Sequence, residues 1–155
     1  MVVRVSTRLS APAEAVWDAV QRTDTLRYVT RGLLGFRGVG EIPERLAEGE
    51  TYTLRLWFFG VVPAWRHEIR IAHVDEAGRE IRTEERGGPV RGWRHRITVD
   101  GEGWGSTRYM DEIDVKAGVL TPFVWFYAEL FYRYRQMRWR RLARGLAAAH
   151  PSGSA

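Results

Sequence analysis

The sequence contains no cysteine, and this absence removes several classes of chemistry at once. Without thiols there are no disulfides, no cysteine nucleophile and no zinc site built on thiolates, so the composition fits a reducing compartment. The first residues, MVVRVSTRLS, lack the long apolar run of a signal peptide. No window approaches the roughly 18 consecutive apolar residues that a membrane-spanning helix needs. We therefore expect a soluble protein of the cytoplasm.

Motifs for metal or cofactor binding are also missing. His67 and His95 could in principle hold a metal together with Glu85, but the sequence has no HExxH or similarly compact ligand motif. Its glycine-rich segments do not lead from a strand into a helix, as a phosphate-binding loop requires. We therefore expect neither a metal nor a cofactor.

The charge of the chain is positive, with a formal net value of +5. Most arginines alternate with apolar residues, which is typical of solvated faces and not of a nucleic-acid interface. We therefore expect no nucleic-acid partner. One local cluster, RYRQMRWRRLAR at residues 133–144, suits acidic lipid headgroups and so a transient contact with a membrane surface. The alternative is that these cations simply complement the end of a helix.

Alternation of apolar and polar residues predicts a series of β-strands. Residues 2–9 alternate well enough for a first strand, and a short helical stretch follows from Pro12. The glycine-rich residues 30–50 predict a loop and an edge strand. Five further strand-like runs, joined by short turns, occupy residues 51–115. Strands in series with short turns indicate an antiparallel meander.

The end of the chain has a helical period instead. From Thr121 to about Ala149, apolar residues recur at helical spacing, namely Phe123, Tyr127, Leu130, Phe131, Tyr134, Met137 and Leu142. The order of elements predicts an α+β fold: a curved antiparallel sheet of about seven strands wraps around a long C-terminal helix, with short helices between strands one and two. We expect one domain over residues 1–150, a disordered tail over residues 151–155, and a cavity where helix and sheet do not close fully.

Two stretches of the sequence resemble a known family. The opening RVSTRLSAPAEAVWDAV is similar to the start of START-like proteins, the SRPBCC superfamily, which has a helix-grip fold. The stretch RTEERGGPVRGWRHRITVDGEGWGSTRYMDEIDV is similar to a bacterial branch of that family, through Gly88-Pro89, Trp93 and His95, Gly105 and Thr107, and an inward Asp111. The resemblance covers about residues 2–147 and implies the helix-grip fold. Family members bind lipids, sterols, quinones, plant hormones or polyketides, and some are aromatase/cyclases.

The alternation turns five polar side chains toward the apolar side of the predicted sheet: His67, Glu85, His95, Tyr109 and Asp111. Burying an unpaired charge is costly, so we expect these groups to pair or to face a wet cavity. A turn centred near Gly103 would place His95 opposite Asp111, with Cβ atoms about 5 Å apart, and a one-step shift would place it opposite Tyr109. Glu85 is expected one strand further on, near Trp93 or His95.

Three interpretations of this polar cluster stay open at the level of sequence. It is a satisfied network that fixes the register of the sheet, or it is a polar anchor that orients a ligand carbonyl or hydroxyl in an aromatic pocket. In the third interpretation His95 is a general acid or base, oriented by Asp111 or Glu85.

The leading hypothesis is a protein that binds a small hydrophobic molecule, such as a lipid, a quinone or a polyketide-like compound. The predicted ligand-binding residues are Leu54, Leu56, Trp65, His67, Ile69, Trp93, His95, Tyr109, Asp111, Phe123 and Tyr127. One alternative is a cyclase or aromatase-type enzyme with His95, Asp111 and Glu85 as catalytic residues. Another is a protein-interaction module whose core is filled by side chains. The segment WFFGVV at residues 57–62 is apolar on both sides and predicts a homodimer contact.

Overall fold

A computed structural model describes residues 1–38, 42–103 and 105–149 of the chain. Its elements follow one another as β1 (Val2–Leu9), α1 (Ala13–Val20), α2 (Thr23–Thr30), β2 (Leu34–Gly38), β3 (Thr51–Phe58), β4 (Val62–Asp75), β5 (Glu80–Gly87), β6 (Val90–Gly101), β7 (Thr107–Lys116), a 3₁₀ turn (Gly118–Leu120) and α3 (Thr121–Ala149). The predicted disordered tail over residues 151–155 lies outside the described residues.

Seven antiparallel strands form one curved sheet, in the order β1-β7-β6-β5-β4-β3-β2. Consecutive strands from β2 to β7 are neighbours, as a meander with short turns requires, and β1 lies beside β7. Buried and exposed residues alternate strictly along β1, so one of its faces lies on the core. The predicted helix-grip architecture is confirmed, including the short helices between the first two strands.

The long helix α3 packs mainly toward one side of the sheet. Among the strands it packs most closely against β1 and also contacts β7, and it touches both α1 and α2. The side chains of Ala128 and Ala143 are fully buried, and their small size lets the helix approach its neighbours closely. Because α3 leans toward β1 and β7, space remains between it and the concave face of β3 to β5.

The apolar stripe that the sequence predicts on the last helix is only partly the buried one. Phe123 is 75% exposed, Leu130 53%, Met137 42% and Tyr127 37%, so these four residues of the stripe are not on the buried side. The buried face consists of Ala128, Phe131, Tyr132, Arg135, Gln136, Trp139 and Ala143. The helix is apolar on two sides, and its buried side includes an arginine and a glutamine. Helical periodicity alone therefore does not distinguish the residues of the buried side from those of the exposed apolar side.

The register of β6 and β7 also differs from the predicted one. Gly101 pairs with Thr107, so the hairpin is centred one position later than Gly103. His95 consequently lies opposite Ile113, and neither Asp111 nor Tyr109 is its direct partner. A shift of two residues in the partner keeps every side chain on its predicted face, since the period of a strand is two. On the other side of β6 the prediction is correct, because Glu85 lies opposite Trp93.

Candidate functional site

A cavity of about 380 Å³ lies between α3, α2 and the concave face of the sheet. Its size is in the range of pockets that hold small organic ligands, and most of its wall is apolar. The wall includes ten of the residues that the sequence predicts for ligand binding: Leu54, Leu56, Trp65, His67, Ile69, Trp93, His95, Tyr109, Phe123 and Tyr127. Their role in binding a ligand stays a prediction.

Asp111 differs from these residues because it is not part of the cavity wall. Its side chain is fully buried and is bonded to two residues of the wall, His95 and Tyr109. A molecule in the cavity would therefore meet the imidazole and the phenol, with the carboxylate behind them. Asp111 is better described as a group that orients the wall than as a ligand contact.

His95 is held in one orientation by groups on two sides. Its Nε2 lies 2.8 Å from Oδ1 of Asp111, and the hydroxyl of Tyr109 donates to the same oxygen at 2.9 Å. On the other side, the hydroxyl of Tyr132 lies 3.4 Å from Nδ1 of His95. A neutral imidazole with its proton on Nε2 satisfies both contacts, because Nδ1 then accepts from the tyrosine. The ring of His95 is therefore fixed at the edge of the cavity.

Glu85 forms the centre of a second polar group on the wall. One of its oxygens accepts from Nε2 of His67 at 2.9 Å, and the other accepts from the hydroxyl of Thr83 at 2.7 Å. Nδ1 of His95 lies 3.9 Å from the same carboxylate. These contacts link β4, β5 and β6 across the concave face. Within the described residues, no group of three or more His, Asp or Glu is arranged to hold a metal ion.

Both carboxylates are stabilised in their ionised form. Burial opposes ionisation of Glu85, but the hydrogen bond and charge of His67, with His95 and Thr83, lower its pKa. Burial likewise opposes ionisation of Asp111, but the charge of Arg135 and the bonds from His95 and Tyr109 lower its pKa. At neutral pH the site therefore holds two buried negative charges.

The two buried phenols of the site stay protonated. Burial, followed by the charge of Asp111, raises the pKa of Tyr109 well above its usual value. Burial is also the main cause that raises the pKa of Tyr132. Both hydroxyls are therefore hydrogen-bond donors at any ordinary pH, which matches the bonds that they make to Asp111 and His95.

Two polar residues of the site, Tyr132 and Arg135, were not predicted from the sequence, and Arg135 is the charged one. Its side chain is only 5% exposed and forms part of the cavity wall, with Cζ 4.9 Å from the ring centroid of Tyr132. Burial lowers the pKa of Arg135, but the charge of Asp111 leads the groups that raise it above its usual value. Sequence spacing carried a signal, because Arg135 lies four residues from both Phe131 and Trp139, in phase with the buried stripe.

The mouth of the cavity is apolar and exposed. Leu120 and Phe123 belong to the wall yet are 46% and 75% exposed. Phe58 at the end of β3 also lines the cavity and meets Tyr127 edge-on, with ring centroids 5.9 Å apart. Phe59, the next residue, is largely exposed. Apolar surface therefore continues from the wall of the cavity to the outside of the molecule.

The apolar segment at residues 57–62 and the arginine cluster at residues 133–144 predict contacts with other molecules, but some of their side chains already make contacts within the chain. The guanidinium of Arg37 lies over the ring of Trp57, 5.7 Å from its centroid, so this indole has cover without a second subunit. In the arginine cluster, Arg138 donates to the backbone oxygen of Tyr28, and Arg140 donates to the hydroxyl of Thr7. Fewer cations of the cluster are thus available to lipid headgroups than the sequence suggests.

Comparison with protein families gives a match over most of the chain. The family model described as "Domain of unknown function (DUF8410)" matches residues 7–145. No curated protein matches the sequence.

Solved structures are similar to this chain in fold at low sequence identity. A START superfamily protein from Mycobacterium smegmatis is 17% identical with a TM-score of 0.69, covering 94% of this chain and 98% of that chain. Norcoclaurine synthase from Thalictrum flavum, in complex with dopamine and hydroxybenzaldehyde, is 16% identical with a TM-score of 0.65, covering 99% and 89%. The di-domain ARO/CYC BexL from the BE-7585A biosynthetic pathway is 13% identical with a TM-score of 0.67, covering 96% and 47%. These similarities confirm the predicted START-like fold, and at such identities they carry no activity across.

Proposed function

Since the chain belongs to the family described as "Domain of unknown function (DUF8410)" and has a START-like fold, we propose that it binds a small hydrophobic molecule between α3 and the sheet. The observation that carries the proposal is the largely apolar cavity of about 380 Å³, whose charged side chains among the described residues are Glu85 and Arg135. Transfer of apolar ligand surface from water into such a cavity supplies affinity, and the few polar groups supply orientation.

The shape of the side chains favours a particular kind of hydrophobic molecule. Trp65, Trp93 and Tyr127 give the wall flat aromatic surfaces, and such surfaces pack well against planar rings. We therefore place quinones and polyketide-like compounds ahead of flexible lipids among the predicted ligands.

Native mass spectrometry of the purified protein tests this proposal, because a tightly bound molecule adds its mass to that of the chain. A matched pair of variants separates the cavity from the surface. Leu54 is buried and lines the cavity, whereas the next residue, Arg55, is exposed on the opposite face of β3. Leu54→Trp fills the cavity and is expected to lose the added mass, while Arg55→Trp is expected to keep it. Equal retention by both folded variants would contradict binding in the cavity.

An acid–base enzyme is the second candidate function, and one observation favours it. His95 borders the cavity while its Nε2 is oriented by Asp111, and an oriented imidazole is the arrangement that general acid–base catalysis requires. BexL and norcoclaurine synthase, which share the fold, are named for cyclisation or synthesis. The third alternative, a module whose core is filled by side chains, does not fit a cavity of this size, and we do not propose it.

The proposed location is the cytoplasm, and the proposed larger partners are a second copy of the chain and, transiently, a membrane surface. The lack of cysteine supports the cytoplasm, and no helix in the described ranges is both long enough and apolar enough to cross a bilayer. The absence of a continuous basic face in the sequence supports a function without nucleic acid. The exposed apolar residues of the proposed homodimer contact are Phe59, Val61 and Val62, and sedimentation of the wild type against Phe59→Asp tests it. Flotation with acidic vesicles, comparing wild type with Arg141→Glu and Arg144→Glu, tests the membrane contact.

A further inference from the structure

Arg135 brings a buried cation into an otherwise largely apolar cavity. In the described part of the chain no carboxylate forms an ion pair with its guanidinium, and its Nε is buried without a hydrogen-bond partner. A guanidinium has five N–H donors in a rigid plane, and burying these donors without hydrogen-bond acceptors costs free energy. Its face is covered by the ring of Tyr132, so the donors at its edge are the part that the protein does not use.

Neither of the nearby carboxylates makes a hydrogen bond to these donors in the described part of the chain. Glu85 accepts from His67 and Thr83, one bond to each oxygen. Asp111 accepts from His95 and Tyr109 through Oδ1 alone, while its Oδ2 is buried without a hydrogen-bond partner, and it acts on Arg135 through charge. Asp111 therefore balances the charge of the guanidinium while leaving its hydrogen bonds free.

We propose that Arg135 donates to an oxygen atom of the bound molecule, and that this oxygen is an uncharged carbonyl on a planar, otherwise hydrophobic ligand. This inference rests on the proposed function and names the chemistry that the cavity selects. A bond from a charged donor in such a site is strong enough to favour the carbonyl compound over its hydrocarbon analogue by about tenfold or more.

The charges at this end of the cavity decide that the oxygen is neutral. Arg135 supplies one positive charge, which Asp111 already balances, and Glu85 on the same wall is ionised as well. An anionic ligand would add a further negative charge beside two buried carboxylates, and water cannot screen it there. A hydroxyl would also bring a proton that needs an acceptor, and each oxygen of Glu85, the carboxylate of the wall, already accepts one hydrogen bond. A carbonyl oxygen accepts hydrogen bonds and has no proton to donate.

Three probes of nearly equal shape test the inference: fluorene, 9-fluorenone and fluorene-9-carboxylate. Equilibrium dialysis with chromatographic quantification gives a Kd for each with the full chain. The wild type is expected to bind fluorenone at least about tenfold more tightly than fluorene. Arg135→Met is expected to bind the two within about threefold of each other. Arg141→Met, which changes an exposed arginine of the same helix, is expected to keep the wild-type preference.

Folding of each variant is checked by circular dichroism, and Arg135→Lys provides a second variant because it keeps the charge beside Asp111 but loses the planar set of donors. Its preference for fluorenone is expected to lie below that of the wild type. A wild type without the preference, a preference that survives in Arg135→Met, or tighter binding of the carboxylate than of fluorenone would each overturn the inference while leaving the binding function intact. If the folded wild type binds none of the three probes, the proposed function itself is contradicted.

Discussion

Nε2 of His95 lies 2.8 Å from Oδ1 of Asp111, although the two residues are not opposite each other in the ladder of β6 and β7. His95 faces Ile113, and Asp111 faces Ile97, so the bond crosses the ladder diagonally. Diagonal neighbours share a face, and two side chains of this length can reach each other. The bond therefore ties two successive side-chain pairs of the sheet together behind the cavity wall.

Replacing Asp111 by asparagine is expected to destabilise the fold strongly. The substitution keeps the shape but removes the charge that balances Arg135, and breaking a buried charge pair on one side costs about 3 kcal/mol or more. The free energy of unfolding in urea measures the loss. Asp114→Asn is the control on the opposite face, where the partly exposed Asp114 pairs with Arg94. Its loss is expected to stay below about 1 kcal/mol, and a similar loss in both variants would contradict the prediction.

Stability is expected to fall as the pH drops below about 4 to 5. The pKa values of Glu85 and Asp111 are lowered in the folded chain, relative to about 4.3 and 3.9 in an unfolded one. A carboxyl group with a lowered folded pKa stabilises fully above its unfolded pKa, and this contribution disappears as the pH falls through the folded value. Urea midpoints measured from pH 7 to pH 3 report the loss, and Asp111→Asn should have a shallower dependence.

Exposed carboxyl groups contribute to the same pH range and need a control. A hydrogen bond from Arg8 lowers the pKa of Glu102, which lies at the surface. Salt at about 1 M shortens the screening length to about 3 Å and weakens such exposed pairs more than buried ones. The difference in slope between wild type and Asp111→Asn should therefore survive in high salt. A difference that vanishes there would assign the effect to the surface.

The sequence predicts the faces of the strands well because burial on one face imposes a period of two. That rule places Glu85, His67 and His95 inward, where the structure has them. The period of two does not change when the pairing of two strands shifts by two residues, so it could not identify the residue opposite His95. Arg135 was missed for another reason. A charged residue on an amphipathic helix is normally solvated, although Arg135 lies in phase with the buried Phe131 and Trp139.

The variant His95→Gln separates the binding protein from the enzyme. Glutamine can still donate to Asp111, but it cannot exchange protons near neutral pH as an imidazole does. For a binding protein we expect ligand affinity to change by about tenfold or less, since one neutral hydrogen bond is at stake. A general acid or base contributes about 10² to 10⁴ in rate. Incubation with candidate ligands, followed by both binding and product analysis, decides the question. A turnover that falls at least a hundredfold with binding intact would establish the enzyme.

Gly88 is expected to tolerate alanine badly because the indole of Trp65 lies against it. A Cβ atom at this position would lie 2.4 Å from Cδ2 of Trp65, and the backbone has a φ of +54°. Gly60→Ala is the matched control, because Gly60 has a φ of +74° but open space where a Cβ would be. Both variants carry backbone strain of about 1 kcal/mol, and only Gly88→Ala also displaces the ring.

Because Trp65 lines the cavity, the two glycine variants should differ in ligand affinity as well as in stability. Thermal unfolding and dialysis with fluorenone measure the two effects separately. Identical melting temperatures and affinities for Gly88→Ala and Gly60→Ala would show that the contact with Trp65 is unimportant.

Because α3 leans toward β1 and β7, it packs closely against one half of the sheet and less closely against the other half. β1 and β7 lie under α3, whereas β2 is an edge strand that pairs only with β3 in the described part of the chain, and none of its residues is fully buried. Amide hydrogens of β2 should therefore exchange with solvent through local opening, while those of β7 exchange only when the whole chain unfolds. Strand β2 carries Leu34 and Phe36 of the cavity wall. We therefore expect this part of the cavity wall to open locally while the folded core persists.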